Sequence, residues 1–490
     1  MDSALIIENK PDIVWLSETS INDRINSNHY RSYMTKNELE IKNSGLEVLR
    51  IKDIVVNISR GKGLKKDDRG EIPNYKVRNL TNFGINKDDV DLITHREFIN
   101  NKSSHIKIGD VLLASTGVGS LGKVDLFFDD IKATVDGHIT ILTTKEEYDG
   151  GYLKAYLQSR YGQIFIEQNT IGSTGQTELY AKDIGEILIP IPSPEIQKYI
   201  GDKVRRAEEL REEAKRLKDE CEDTIVRELK KSCGLDNISY KEHAGKLSVD
   251  KIYDKQKSTF VSSKLIGNRI DPKFYHAEHV DVIKQISNIE HYSLKDTLKE
   301  YDTGVSQLKY SDRGIPVIST GNMNNNFIGD PEKYTISNIP NSKYLNEEDV
   351  LITTYGATSI GKVDIYDKTE VATFDYTLFR AKFGEEHPAY YMCLVLRTDL
   401  VQKQIKYSIN SGGGTNFVNI SSLLDIKIPK IKPQIMNVLN ELMKKSLNNI
   451  RLSQQLILQA KQDVEDLIEG NFEMSELNKD SGTESRCKGA

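Results

Sequence analysis

The sequence predicts an α+β protein built from two tandem copies of one domain. Each copy is a mainly antiparallel, partly barrelled sheet with helices, and two long antiparallel coiled-coil helices join the copies about a pseudo-two-fold axis. Three observations predict this. The chain is written twice, short strand-like runs alternate with glycine turns inside each copy, and each copy closes on an unbroken apolar stripe at helical spacing.

The repeat is read from matched stretches. RINSNHY at 24–30 matches RIDPKFY at 269–275, and DRGEIP at 68–73 matches DRGIP at 312–316. DVLLASTGVGSLGKVDLF, Asp110 to Phe127, matches DVLITTYGATSIGKVDIY, Asp349 to Tyr366, with 9 of 18 residues identical. From Asp110 onward the offset is a constant 239 residues, whereas at Arg24 to Tyr30 it is 245. The copies therefore differ in length mainly between residues 30 and 110. A period this long means two whole domains, not a solenoid. A matched framework with unmatched inserts suggests two similar ligands read differently.

Within the first copy, Gly109 to Ser115, Lys123 to Phe127 and Gly137 to Thr143 read as short strands, and Tyr152 to Gln168 as a helix. After Pro194, the residues Ile196, Ile200, Val204, Ala207, Leu210, Ala214, Leu217 and Cys221 recur at spacings of 3 and 4. After Pro433, Ile435, Leu439, Leu442, Ser446, Ile450, Ser453, Ile457, Ala460, Val464 and Leu467 repeat a more polar version. Each helix would span roughly 50 Å at about 1.5 Å per residue, and neither can bury its stripe alone, so they should pair. The boundaries that follow are 1–195 and 258–433 for the globular domains, 196–232 and 434–470 for the long helices, 233–257 for a linker, and 471–490 for a polar tail expected to be disordered.

Composition narrows the function. The 490 residues carry a net charge of -6, with 38% hydrophobic and 29% charged residues, so the whole molecule is not a basic nucleic-acid binder, although a local basic face remains possible. The four cysteines, Cys221, Cys233, Cys393 and Cys487, have no zinc-like spacing and suit a reducing cytoplasm. No apolar run is long enough for a membrane span, and Met1 to Asn9 lacks a secretory pattern.

STGVGSLGKV, Ser115 to Val124, satisfies both G-x-G-x-x-G and G-x-x-x-x-G-K. The P-loop reading fails because Val124 follows Lys123 where Ser or Thr should hold Mg²⁺, and because the next residues alternate like a strand. The second copy, with Gly356, Gly361 and Lys362, loses the middle glycine. A strand-to-strand turn is the expected structure. Pro11-Asp12 with Glu40-Ile-Lys42 also fits the short P-D…E-x-K pattern of a metal-dependent nuclease, but the second copy does not repeat it. His138 is expected to be structural. No nucleophile elbow and no Pro-Pro methyltransferase motif is present.

DNA-contact candidates are better supported. The basic loop holds Arg60, Lys62, Lys65, Lys66 and Arg69, with Arg78 and Asn79 just beyond it. The glycine turn adds Thr116, Ser120 and Lys123, and the polar GSTGQT loop adds Ser173, Thr174 and Gln176. The second copy aligns Gln307, Lys309, Tyr310 and Asn322, then Tyr355, Thr358, Ser359 and Lys362, then Thr415 and Asn416. Basic side chains neutralise phosphates, while Arg, Lys, Asn and Gln read base edges. Lys123 and Lys362 are expected to share one role, phosphate-side or structural, while the turn tips differ. A coiled-coil scaffold with protein- or RNA-binding ends is the alternative.

Taken together, the duplication, the GDVL…G…GK turn, the YL…S…G segment, the G-S-T-G-Q loop and the P-I-P-x-P-E-x-Q entry into a long helix resemble the specificity subunits of type I restriction–modification systems, from roughly Ile13 to Leu467. The resemblance implies a non-catalytic cytoplasmic subunit whose two target-recognition domains read the halves of a bipartite, gapped site in double-stranded DNA. It implies that the long helices set the gap and dock two modification subunits. Those subunits would bring S-adenosylmethionine and methylate adenine, with a restriction subunit joining for cleavage; this chain would bind no cofactor and no metal. One departure stands out: before and into its long helix the second copy has Lys430 and Lys432 with Gln434-Ile-Met436, where the first has Pro192, Pro194 and Glu195-Ile-Gln197, which puts the entry of the second helix in question.

Overall fold

The computed structural model describes residues 27–117, 119–172, 177–233, 273–324, 328–412 and 415–473. The expected linker and tail, apart from residues 233 and 471–473, lie outside them. The chain divides into two units, residues 1–211 with 451–490, and residues 212–450. The division cuts both long helices, Pro194–Cys233 and Pro433–Glu469, because each unit packs one part of each.

Unit 1 contains β1 (Glu47–Arg50), β2 (Val55–Arg60), β3 (Ile72–Tyr75), β4 (Asp91–Ile93), β5 (His105–Ile106), β6 (Val111–Ala114), β7 (Val124–Leu126), β8 (Ala133–Val135), β9 (Ile139–Thr144) and β10 (Leu188–Ile191). One sheet has the order β2-β9-β6-β7 and is antiparallel throughout. The other has the order β4-β3-β8-β5, with β3 and β8 parallel. β1 pairs with β10. The strands thus form two four-stranded sheets rather than the partly closed barrel expected.

β6 explains how the layers meet. All four of its residues are buried. Val111 and Leu113 enter a core shared with the helices Gly150–Gln158 and Arg160–Asn169, while Leu112 and Ala114 enter a core shared with the second sheet. Strand side chains alternate faces, so a strand covered on both faces reads as a continuous apolar run.

Unit 2 contains β11 (His291–Ser293), β12 (Leu298–Thr303), β13 (Tyr310–Ser311), β14 (Ile315–Ile318), β15 (Lys333–Thr335), β16 (Asp349–Thr353), β17 (Val363–Tyr366), β18 (Thr373–Phe374), β19 (Leu378–Phe383), β20 (Ile409–Gly412), β21 (Thr415–Val418) and β22 (Lys427–Pro429). Its first sheet, β12-β19-β16-β17, has the order found in unit 1. Its second, β13-β15-β14-β18, keeps a parallel pair, β14 with β18, here at one edge of the sheet. β16 splits its residues in the same way, Val350 and Ile352 to one core and Leu351 to the other.

The helix expected over 152–168 is two helices. Ser159 breaks it, and its hydroxyl accepts from Gly162 N at 3.3 Å as the cap of the second helix. Thr398 stands at the same break in unit 2. The long helices both start on proline, Pro194 and Pro433, at positions 239 residues apart, so the lysines before the second helix do not shift its start.

Every apolar position foreseen for the first stripe is buried. In unit 1, Lys203 pairs with Asp463 at 2.6 Å. In unit 2, Ser446 Oγ donates to Ala214 O at 2.7 Å, and Cys221 Sγ lies 3.8 Å from Leu439 O. As one number rises the other falls, so the two segments run antiparallel in unit 2.

Each unit caps the equivalent helix from a different position. In unit 1, Asp149 accepts from Gly151 N (2.8 Å) and Tyr152 N (3.1 Å), and Gly201 on the long helix leaves room, since a Cβ there would collide with the Asp149 carboxylate. In unit 2, Pro388 stands at the position of Asp149 and has no side-chain acceptor. Asn440, at the position of Gly201, supplies one to Tyr390 N (3.1 Å) and Tyr391 N (3.3 Å). Asn440→Gly is expected to cost about 1 kcal/mol in the denaturation midpoint of the full chain. Gly201→Asn, which brings a carboxamide into space the Asp149 carboxylate already occupies, should cost more.

The thiols of Cys221 and Cys393 are buried, and burial pushes them up to about 12 and about 11. The reactive form is the thiolate. Neither should react with a thiol reagent at pH 8 in the folded chain, and both should react once denaturant unfolds it.

Candidate nucleic-acid interface

The glycine turn is a hairpin between β6 and β7. Gly122 N donates to Ala114 O (2.9 Å) and Ala114 N to Lys123 O (2.8 Å). Gly117, Gly119 and Gly122 have φ of 103°, 74° and 88°, a region that favours glycine. A strand follows it, not the helix that a nucleotide loop opens, so the nucleotide-loop reading has no basis in the geometry.

In both units the turn meets the polar loop expected beside it. Gly117 N donates to Thr177 O (3.3 Å) and Gly356 N to Asn416 O (3.1 Å). Thr116 bridges Glu178, and Tyr355 bridges Phe417. A third segment closes the place. Gly61, after β2, and Gly304, after β12, lie so near Asp136 O and Asp375 O that a Cβ on either would collide. Gly304→Ala should therefore force the backbone apart and lower the melting temperature of the full chain by several degrees, the shift a few kcal/mol produces.

The side chains gathered there differ. In unit 1, Arg60 donates to Gly137 O and pairs with Glu178, and Thr116 Oγ1 lies 2.5 Å from His138 Nδ1. The Arg60 guanidinium holds the Glu178 carboxyl below its usual range, so the pair is ionised at neutral pH. The basic loop adjoins this cluster: Gly63 N is 3.4 Å from a Cβ built on Gly137, and Lys62 N donates to Ser104 Oγ (2.9 Å).

In unit 2, Tyr355 stacks on Phe417 (5.8 Å between centroids, 21° between planes) and meets Tyr376 edge-on (5.5 Å). Beside them Tyr310, itself exposed, lies under Lys333 Nζ (5.4 Å).

A buried aspartate in each unit fastens the adjoining loop. Asp125 accepts from Thr81 N (2.8 Å), and Asp364 accepts from Asn324 N (2.8 Å). Their counter-ions come from different positions: Lys154 (3.3 Å) in unit 1 and Arg397 (2.7 Å) in unit 2. Gln158 stands where Arg397 stands, and both donate to a β7 or β17 carbonyl, Val124 O and Val363 O.

The predicted contact residues separate accordingly. Lys62, Lys65, Lys66, Arg69, Gln307, Lys309, Tyr310, Thr358 and Thr415 are exposed, and Thr116, Ser120, Lys123, Tyr355, Ser359 and Asn416 are half-buried at the turn and loop. Lys66 pairs with exposed Asp68 (3.2 Å). Ser173, Thr174 and Gln176 lie outside the described residues.

Two expectations need correction. Asn79 and Asn322 are buried and donate to backbone carbonyls, Asn79 to Asn86 O and Asp89 O and Asn322 to Asp330 O. Arg78 is held by Asp91 (2.9 Å), and Arg60 by Glu178. Lys362 Nζ donates to Met323 O (2.8 Å), a structural task. Polarity alone does not tell a residue that reads a ligand from one that saturates a loop.

Glu40 and Lys42 lie on a helix, Ser32–Lys42, where residues two apart face different ways, and Glu40 pairs with Lys36 (3.5 Å). That is not the strand geometry of the nuclease pattern, and Asp12 lies outside the described residues. Glu178, His138, Tyr376 and Phe417 were not foreseen. The 239-residue offset would have shown the exchanges at 137/376 and 178/417, but not that these positions meet.

Comparison with known proteins follows this geometry. Residues 43–222 match the family model described as the type I restriction modification DNA specificity domain. No curated protein matches the chain. Among solved structures, the chain is similar to the type I restriction-modification S subunit from M. genitalium, with 15% identity, 88% of this chain and 97% of that one covered, and a TM-score of 0.42. It is also similar to the HsdS subunit from Thermoanaerobacter tengcongensis, with 13% identity, coverage of 87% and 97%, and a TM-score of 0.29. Superpositions this loose carry no functional weight. Among the described residues, no helix is long and apolar enough to cross a membrane.

Proposed function

We propose that this chain is the DNA-specificity subunit of a type I restriction–modification system, working in the cytoplasm. Its two units are tandem target-recognition domains, each reading one half of a bipartite, gapped site in double-stranded DNA. The two long helices form an antiparallel coiled-coil spacer related by a pseudo-two-fold axis. The chain is non-catalytic and binds no cofactor. Two methyltransferase subunits dock on it and supply S-adenosylmethionine, and a restriction subunit joins them for cleavage.

One observation carries the reading. Residues 43–222 match a DNA-specificity family model, and the sheet order β2-β9-β6-β7 found there recurs in unit 2 as β12-β19-β16-β17, with other side chains at the turn. A repeated framework with exchanged contact residues is what an asymmetric two-part site requires, because phosphate contacts position a protein while base contacts specify. Selection from a random pool of duplexes, using the full chain assembled with its methyltransferase subunits, tests it. Two short fixed runs with an unread gap of constant length are expected. Equal retention of RNA, or no enrichment of any duplex sequence, would contradict it.

A further inference from the structure

We infer that the units divide their specificity at three equivalent positions. Thr116, Gly137 and Glu178 in unit 1 present a hydrogen-bonding surface, and Tyr355, Tyr376 and Phe417 in unit 2 present an apolar one that takes the C5-methyl group of thymine. This rests on the DNA reading proposed above.

The positions are equivalent by sequence offset and by backbone structure, since Thr116 bridges Glu178 as Tyr355 bridges Phe417. Framework contacts around them are repeated: Gly61 N donates to Ile139 O (3.1 Å) and Gly304 N to Leu378 O (3.2 Å). The side chains alone are exchanged, and in opposite directions. Arg60, at the end of β2, reinforces the polar set, and its partner in unit 2 by strand register is Thr303.

The aromatic trio is not core. Tyr376 is 50% exposed, and Tyr355 and Phe417 are half-buried. Rings held against one another lose little freedom on binding and offer a fixed apolar face. Lys309 is exposed nearby and Lys333 lies over Tyr310, so the surroundings suit a polyanion. In the major groove, thymine alone presents a methyl group, and apolar side chains recognise it. In unit 1 the Arg60–Glu178 pair is neutral as a whole and attracts phosphate weakly. It still offers donors and an acceptor to a base edge.

The test repeats the duplex selection with the assembled full chain. Tyr376→Ala and Phe417→Ala should flatten the preference for thymine at one or two positions of one run, by roughly 5- to 100-fold each, and leave the other run intact. Glu178→Gln should change only the other run. Tyr376→Phe keeps the ring and should keep the preference. Replacing the selected thymine by uracil, which lacks the methyl, should weaken the unsubstituted protein and leave Tyr376→Ala unaffected; this arm also serves if an alanine variant unfolds. Unchanged preferences in every variant, equal loss in both runs, or full tolerance of uracil would overturn the inference while the DNA reading stands. Failure of the unsubstituted complex to select any duplex would overturn that reading as well.

Discussion

Arg397→Ala is expected to destabilise unit 2 by about 3–5 kcal/mol, the cost of leaving one partner of a buried ion pair uncompensated. Asp364 is fully buried and Arg397 is 2% exposed, with 2.7 Å between their charged groups. Arg397 also donates to Val363 O (2.8 Å), and Asp364 fastens Asn324 N, so the loss would reach from the helix Ala389–Leu396 to the loop beside the turn. Urea denaturation should show the unit 2 transition moved to lower denaturant. Asp364→Asn added to Arg397→Met should recover much of the loss, because it removes the orphaned charge and keeps an acceptor. Unit 1 provides a second arm. Gln158→Arg alone would set a second cation beside Lys154, whose amine burial already pulls below its ordinary value, and should destabilise the fold. Gln158→Arg together with Lys154→Cys transfers the unit 2 arrangement and should be far milder. Equal effects of the single and double changes would contradict the account.

The second large effect concerns DNA. Replacing Lys62, Lys65 and Lys66 with alanine should weaken binding of the assembled complex by roughly 10- to 100-fold near 0.1 M salt. The slope of log affinity against log salt should fall by about 2 to 3, close to 0.9 for each phosphate left without its lysine. All three lysines are exposed, and only Lys66 has acidic partners among the described residues, exposed Asp68 (3.2 Å) and buried Asp91 (3.9 Å). The selected sequence should not change, because phosphate contacts carry no base information. An unchanged slope would remove this loop from the interface. Loss of selectivity with an unchanged slope would make the lysines base readers.

Much of the fold was legible because duplication exposes what a framework needs. The glycines at 117, 122, 356 and 361 have positive φ in both units, and the buried stripe on the long helices follows helical spacing. What escaped were exchanges between distant positions. Pro388 appears as a simple substitution of Asp149 until Asn440 is found capping the same helix from the position of Gly201. Lys154 looks like a surface residue in sequence, yet it is 2% exposed against Asp125. The helix over 152–168 kept its apolar period through Ser159, so periodicity concealed a break that capping imposed.

The site was legible as segments and not as side chains. The turn, the polar loop and the basic loop were each found, and the structure brings them together in unit 1. Asn79 and Asn322 were chosen for polarity, which cannot distinguish an inward carboxamide from an outward one. Tyr376 and Phe417 carry no sequence signal of exposure, because aromatic residues are buried more often than not.

The most direct test of the central claim is a genome-wide map of methylated adenines in cells that co-express this chain with its cognate methyltransferase subunit. The account predicts one motif made of two fixed runs separated by a constant unread gap, with Tyr376→Ala altering one run only. A continuous motif, or methylation unlinked to any motif, would contradict it.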